Sequence, residues 1–236
     1  MQTVNLRPSA SIDDVVRNMT TIDGALPDDD GVKWFNRLYL RVTIAVRSAA
    51  AGATFRDRAF LELLDVLFAN LYFEAAVAGL KEAEAAPPAW RPLFRARQQR
   101  GLAPLQFALA GMNAHINRDL PNGIVECFVR SGGAPDDEGP RYEDFQRVNG
   151  LLESVEEEVK TEFLTGPLAT LDVAAGQLDD TLAMWNVRAA REAAWTNAQV
   201  LWALRDTPRL RDRFFDRLDR LTGFAGRGLL VPCAIR

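Results

Sequence analysis

Histidine occurs once in these 236 residues, at position 115. With no second imidazole, a metal would have to be held by carboxylates, and the inward Glu/Glu-x-x-His pattern of di-iron bundles is missing. No metal and no cofactor are expected. Cysteine is nearly as scarce. Cys127 and Cys233 lie far apart in apolar company, which excludes a disulfide framework and points to two reduced, buried thiols. Lysine stands only at 33, 81 and 160, so nearly all 28 basic residues are arginine. Together with the abundance of alanine, this reads as the codon usage of a GC-rich genome, and scattered phosphate-binding arginines are the rival explanation. The net charge of -4 excludes bulk electrostatic attraction to nucleic acid. No run approaches the roughly 18 apolar residues of a membrane span. Met1 to Asp14 lacks the apolar stretch of a signal peptide. A cytoplasmic protein without membrane or nucleic-acid partners is the expectation. β-branched residues rarely alternate with polar ones, which leaves little room for strands.

What the chain has is helical periodicity filled with Ala, Leu, Arg and Glu. Hydrophobic residues make up 48%, enough for a sizeable core. The expectation is an all-α fold, with residues 1–236 forming a single compact multi-helix domain around a long central buried helix. Ser11 and Asp14 form a capping box for a first helix. Asp28-Asp29-Asp30 caps a second, running to about Ala50. Thr54 and Asp57 open a third, from about 56 to 85. Pro88 suits the first turn of a helix through Gln99. Pro104 opens the central segment and Pro121 closes it. SGGAPDDEGP, from Ser131 to Pro140, is a surface loop. A helix or helix pair follows from Tyr142 to Phe163, with a break at Gly166-Pro167. The longest helix should run from about Leu178 to Arg205. Thr207-Pro208 caps another that ends near Gly223, before an irregular apolar tail.

Several polar side chains crowd the end of the otherwise apolar central segment, and polar groups are costly to bury unpaired. At about 100° per residue, Gln106, Asn113 and Asn117 form an amide stripe. His115 and Asp119, four apart, share another face, with Arg118 nearby. His115 has the chemistry of a general acid/base, and Asp119 that of the group fixing its tautomer. Asn113, Asn117 and Arg118 could hold a carbonyl or a developing oxyanion. The bland alternative is a buried His–Asp bond that joins two helices. A second constellation, Trp185, Arg188, Glu192, Trp195 and Trp202, shares one arc of the longest helix. It is either a packing face or the wall of a pocket for an apolar ligand. In the third helix, Asp65 stands out among apolar neighbours on a face with Phe68 and Tyr72. It is either salt-bridged, to Arg118 or Arg41, or a second carboxylate near His115. On the second helix Asn36, Tyr39, Thr43 and Arg47 align, as a solvated face would. GFAGRG lacks the flanks of a phosphate loop, and no G-x-S-x-G occurs.

Three segments, LQFALAGMNAHINRDLP, WNVRAAREAAWTNAQVLWALR and GFAGRGLLVP, together resemble an uncharacterised, mostly actinobacterial family of unknown function. The resemblance covers nearly the whole chain and is most specific through Asn113, His115, Asn117, Arg118 and Asp119. It implies a stand-alone helical protein and brings no established activity. Its bacterial setting suggests biosynthesis in specialised metabolism, an association only. Three functional readings stand side by side. The first is a cofactor-independent cyclase, isomerase or lyase acting on a small, largely apolar molecule through His115 and Asp119. The others are a non-catalytic binder of such a molecule, and a structural or partner-binding protein whose polar cluster is only a core network. A ligand-sized cavity at His115 would separate the first two from the third.

Overall fold

The computed structural model describes residues 4, 6–50, 55–165 and 186–232. Among these, every regular element is helical, as an all-α fold requires. Helix α1 (Ile12–Ala25) begins at Ser11, whose hydroxyl accepts the Asp14 N–H. The Asp14 carboxylate reaches back to the Ala10 N–H and the Ser11 hydroxyl. Asp30 starts α2 (Gly31–Ala50) by accepting the Val32 N–H. Asp57 caps α3 (Arg58–Lys81) at the Phe60 N–H, while Thr54 lies outside the described residues. This helix ends at Lys81 and a separate 3₁₀ turn covers Ala83–Ala85. It is long and apolar enough to cross a membrane, but half of its apolar window is buried in the fold.

Other boundaries also differ from the sequence expectation. Helix α4 spans only Arg91–Ala96, with Pro92 rather than Pro88 in its first turn. Helix α5 (Pro104–Ala114) does not end the central segment near Pro121. It passes through a π turn at His115–Asp119 into α6 (Leu120–Ser131). A proline ring clashes with the carbonyl four residues back and has no N–H to offer it. The wider turn, in which the Leu120 N–H bonds the His115 carbonyl, carries the helix through that obstacle. The glycine-rich loop follows as expected, with Gly132, Gly133 and Gly139 all at positive φ, and α7 (Pro140–Thr165) leaves it. The break at Gly166-Pro167 and the helical turns from Leu178 lie outside the described residues. Helix α8 (Val187–Ala203) has its own cap, Asn186, which accepts the Ala189 N–H. It is shorter than α7.

Helix α9 (Pro208–Leu229) continues through Gly223 instead of stopping there. Here glycine is a packing residue: a Cβ on Gly223 would overlap the carbonyl oxygen of Pro88. The helix therefore lies against the 87–90 corner backbone to backbone. Asp219 on the same helix accepts the buried Ala89 N–H at 2.7 Å, and Asn113 and Gln106 of α5 donate to carbonyls at Thr222, Leu229 and Val231.

The core is divided. Helices α1 to α5 enclose one cluster around Met19, Ile22, Phe35, Tyr72, Trp90 and Leu93. Helices α3, α6, α7 and α8 enclose another around Phe60, Leu120, Ile124, Phe145 and Trp195. Between them lies the π turn.

Candidate functional site

A cavity of about 90 Å³ sits at this seam, bordered by His115, Tyr39, Asp65 and Arg191 among mostly apolar side chains. That is several times the space one water needs. Tyr39 comes from α2, Asp65 from α3, His115 from the π turn and Arg191 from α8. Helix α7 adds Phe145 and Val148. π turns inside helices recur at functional sites, because the extra residue turns a side chain away from the regular wheel.

His115 is anchored on one side only. Its Nδ1 lies 3.0 Å from Asp119 Oδ2. The same oxygen accepts the Trp90 indole N–H at 3.0 Å, and Oδ1 accepts Arg118 Nη1 at 2.6 Å. Arg118 also approaches Asp219, at 3.6 Å. Asp119 is fully enclosed, so its carboxylate is held by three donors. A carboxylate at Nδ1 assigns the ring's proton there and leaves Nε2 with a free lone pair. Phe68 stacks on the imidazole with ring centres 3.5 Å apart and planes 6° from parallel, and Tyr39 meets it at 4.5 Å.

Nε2 of His115, the Tyr39 hydroxyl and Asp65 Oδ2 are all buried without a hydrogen-bond partner among the described residues. Buried polar atoms are paired in the great majority of cases, so three orphans around one apolar cavity call for a reason. Their protonation follows from their surroundings. Burial pulls the His115 imidazole below its usual range, against the opposing bond and charge of Asp119. Burial pushes the Asp65 carboxyl up to about 7, and the Arg191 charge only partly offsets this. Burial, with the charges of Asp65 and Asp119, lifts the Tyr39 phenol well above its ordinary value. Near neutral pH the cavity thus presents a neutral imidazole, a carboxyl able to give or take a proton, and a phenol that keeps its own.

Arg191 is buried and rigid. Its Nε donates to Asn149 Oδ1 at 2.7 Å, its Nη2 donates to the Phe145 carbonyl at 3.0 Å, and the guanidinium lies 4.1 Å over the Phe145 ring. Burial lowers the guanidinium to about 10, against the opposing charges of Glu192 and then Asp65. Neither makes an ion-pair contact with it, and Glu192 is bonded to Tyr142 and Gln146 instead.

The residues singled out in the sequence separate into two groups. His115, Asp119 and Asp65 come together here, Asp119 from behind the imidazole. Asn113, Asn117 and Arg118 are not among the described residues on the cavity wall. Asn113 donates to the Thr222 carbonyl, Asn117 to Asn113, and Arg118 serves Asp119. The amide stripe faces α9, on the opposite side of the helix from His115, as a spacing of two residues (about 200°) requires. Tyr72 is buried behind Phe35 and donates to Asn36 Oδ1 at 3.2 Å. On α8, Arg188 is exposed, while Glu192 accepts Tyr142 Oη at 2.9 Å and also bonds Gln146. Trp195 is core, with its indole N–H on the Asp136 carbonyl, and Trp185 lies outside the described residues. The α2 stripe is no solvated face: Asn36, Tyr39 and Thr43 are buried, and only Arg47 is exposed. Arg118 binds Asp119, and the arginine whose charge acts on Asp65 is Arg191. Arg191 was missed altogether. Its signal was spacing, since it falls in step with Val187, Ala194, Ala198 and Leu201 on the buried stripe.

Fold and site together define a class: an all-helical protein whose lone histidine borders an apolar cavity at the junction of two core clusters. Over residues 12–232 the chain matches the family of unknown function DUF5995, and it belongs to that family. No curated protein and no solved structure matches it.

Three measurements test this geometry. Replacing Asp119 by Ala strands Trp90 Nε1, Arg118 and His115 at once, and should cost about 3–5 kcal/mol. His115→Ala leaves Asp119 with two donors and should cost about 1–3 kcal/mol. Urea unfolding of both variants giving the reverse order would refute the role assigned to Asp119. With one histidine in the chain, ¹⁵N-histidine labelling yields a single imidazole signal. It should show Nδ1 protonated and Nε2 bare at pH 7, with a midpoint below that of a free histidine; an imidazolium or an Nε2–H tautomer contradicts the geometry. For Asp65, the folded chain keeps a proton between about 4 and about 7 that the unfolded chain has released. Its contribution to stability therefore falls as pH rises through that window. Asp65→Asn should accordingly stabilise the protein by about 1–3 kcal/mol more at pH 8 than at pH 5. Parallel shifts at the two pH values would show that Asp65 is an ordinary ionised carboxylate.

Proposed function

We propose that this protein is a cofactor-independent acid/base enzyme acting on a small, largely apolar molecule, with His115 as the proton-transfer residue. The observation that carries the reading is the trio of unpartnered buried polar atoms, His115 Nε2, Tyr39 Oη and Asp65 Oδ2, belonging to residues around one apolar cavity. A core evolved only for stability would pair or remove them.

The proposed roles follow from charge state. His115 Nε2 takes a proton from an activated C–H or O–H of the substrate, and Asp119 stabilises the imidazolium that results. The electron pair stays on the substrate, where the Tyr39 hydroxyl hydrogen-bonds the oxygen on which negative charge develops. Asp65 in its protonated form delivers a proton to a second position, and the proton taken up by His115 then passes to the Asp65 carboxylate to complete the cycle. Such a sequence is redox-neutral, as isomerisations, cyclisations and eliminations are. Apolar walls keep water away and strengthen each of these interactions. In this assignment Tyr39 takes the oxyanion role that the sequence suggested for Asn113, Asn117 and Arg118.

The experiment is deuterium incorporation. Wild-type protein in D₂O is incubated with a panel of small enolisable ketones and β,γ-unsaturated carbonyl compounds, and ¹H NMR follows loss of the acidic C–H signals. Exchange or double-bond migration above the buffer rate is expected for at least one compound, falling to background in His115→Ala. A variant as fast as wild type would remove His115 from the chemistry. A compound that binds, returns unchanged and does so with affinity indifferent to the imidazole's titration would mark a binding protein instead.

A further inference from the structure

Arg191 is the one residue of the site to which the proposed chemistry gives no task. A buried guanidinium is costly to keep unless an anion answers it. Yet its hydrogen bonds within the protein go to two neutral oxygens, Asn149 Oδ1 and the Phe145 carbonyl. Those two bonds occupy Nε and one N–H of Nη2, on one side of the group. The remaining fork, formed by Nη1 and the second N–H of Nη2, has no acceptor among the described residues. Asn149, the Phe145 carbonyl and the Phe145 ring below hold the plane fixed, and the side chain borders the same cavity as His115. A planar two-donor fork matches the two oxygens of a carboxylate.

We propose that the cavity takes a small apolar monocarboxylate, its carboxylate clasped by Arg191 and its hydrocarbon body extending toward His115. This names the substrate class of the acid/base enzyme proposed above and rests on that reading. One guanidinium balances one negative charge, and the remaining wall is almost wholly apolar, with Leu38, Val42, Leu61, Leu64 and Val148 among its side chains. A phosphate dianion would be left half uncompensated there. A neutral amide or alcohol would leave the open fork without an anionic acceptor, with the charges of Glu192 and Asp65 acting only from a distance.

Asp65 gives the site a further property. It borders the cavity with Tyr39 of α2, His115 of the π turn and Arg191 of α8, and the described α7 residues on that wall, Phe145, Val148 and Leu152, are apolar. An incoming carboxylate takes over the Arg191 charge that favours ionised Asp65 and adds a like charge beside it. Both effects favour the protonated carboxyl. Ligand binding is therefore coupled to uptake of a proton at Asp65, and affinity falls as pH rises past neutrality.

The test uses the full chain with sodium isobutyrate and sodium isovalerate, against isobutyramide and isovaleramide of the same shape, with sodium chloride matched for ionic strength. Binding is followed by calorimetry and by the single ¹⁵N-histidine signal. The acids should shift that signal and bind at least about tenfold more tightly than the amides, a difference of about 1.4 kcal/mol. They should bind more tightly at pH 6 than at pH 8. In buffers of differing ionisation heat, up to one proton should be taken up. Arg191→Gln should abolish the preference for the acids, and Arg191→Lys should retain it in part. Amides binding as well as acids would overturn the proposal, as would no carboxylate binding at millimolar concentrations. The acid–amide comparison needs only wild-type protein, so it stands even if the Arg191 variants fail to fold. His115→Ala should keep the preference for acids while losing proton exchange. Loss of carboxylate selectivity with exchange of neutral ketones intact sinks the substrate class alone, and the converse sinks the catalysis alone.

Discussion

The buried carboxylate of Asp119 is the constraint on which the rest depends. It has no access to solvent, so its charge must be met from within. Three donors meet it, from the imidazole one turn back, from the indole that precedes α4 and from the neighbouring arginine. Through Arg118 the network reaches Asp219 on α9, which in turn holds the Ala89 N–H. The π turn, the 87–90 corner and α9 thus share one electrostatic knot. Its position behind the imidazole both locks the ring and leaves Nε2 as the edge turned away from the knot.

The cavity follows from how the helices divide the apolar residues. Two clusters, one among α1 to α5 and one among α3, α6, α7 and α8, each close on themselves. Where they meet, Tyr39, Phe68, His115 and Arg191, large, flat or polar, stand among aliphatic side chains such as Leu38, Leu64 and Ile116 and pack less closely than Leu and Ile do among themselves. Phe68 spends its face on the imidazole. The space left over is small and lined by hydrocarbon, so the few polar atoms that reach it act on one another at short range and low screening.

The helical class was legible because the periodicity is strong and most caps are local. Ser11, Asp30 and Asp57 each bond a backbone N–H two or three residues on, a rule that needs no tertiary knowledge. The i,i+4 pairing of His115 with Asp119 was legible for the same reason. What followed from an ideal helical wheel was less secure. The wheel itself set Asn113 and Asn117, each two residues from His115, about 200° round the helix from it; assigning both faces to one site was the error, and α9 covers the amide face. Pro121 was the local cue to the π turn: it looked like a terminator, but it marks a widened turn within a continuing helix. Arg191 and Tyr39 were hidden by the opposite error. A charged residue and a phenol on helices rich in arginine look solvated until neighbouring helices cover them, and that covering comes from segments far away in sequence.

The contact at Gly223 has a consequence for variation across the protein. No side chain, however small, fits between α9 and the Pro88 carbonyl. Any replacement there must lift the helix, and Asp219 is carried on it one turn earlier. Displacing Asp219 would free the Ala89 N–H beside Trp90 and alter the company Arg118 keeps next to Asp119. A position that touches neither cavity nor ligand therefore sets the basicity of the imidazole through two carboxylates and one arginine. Exchange of a single hydrogen for a methyl group at that point would be felt as chemistry at the far end of the network.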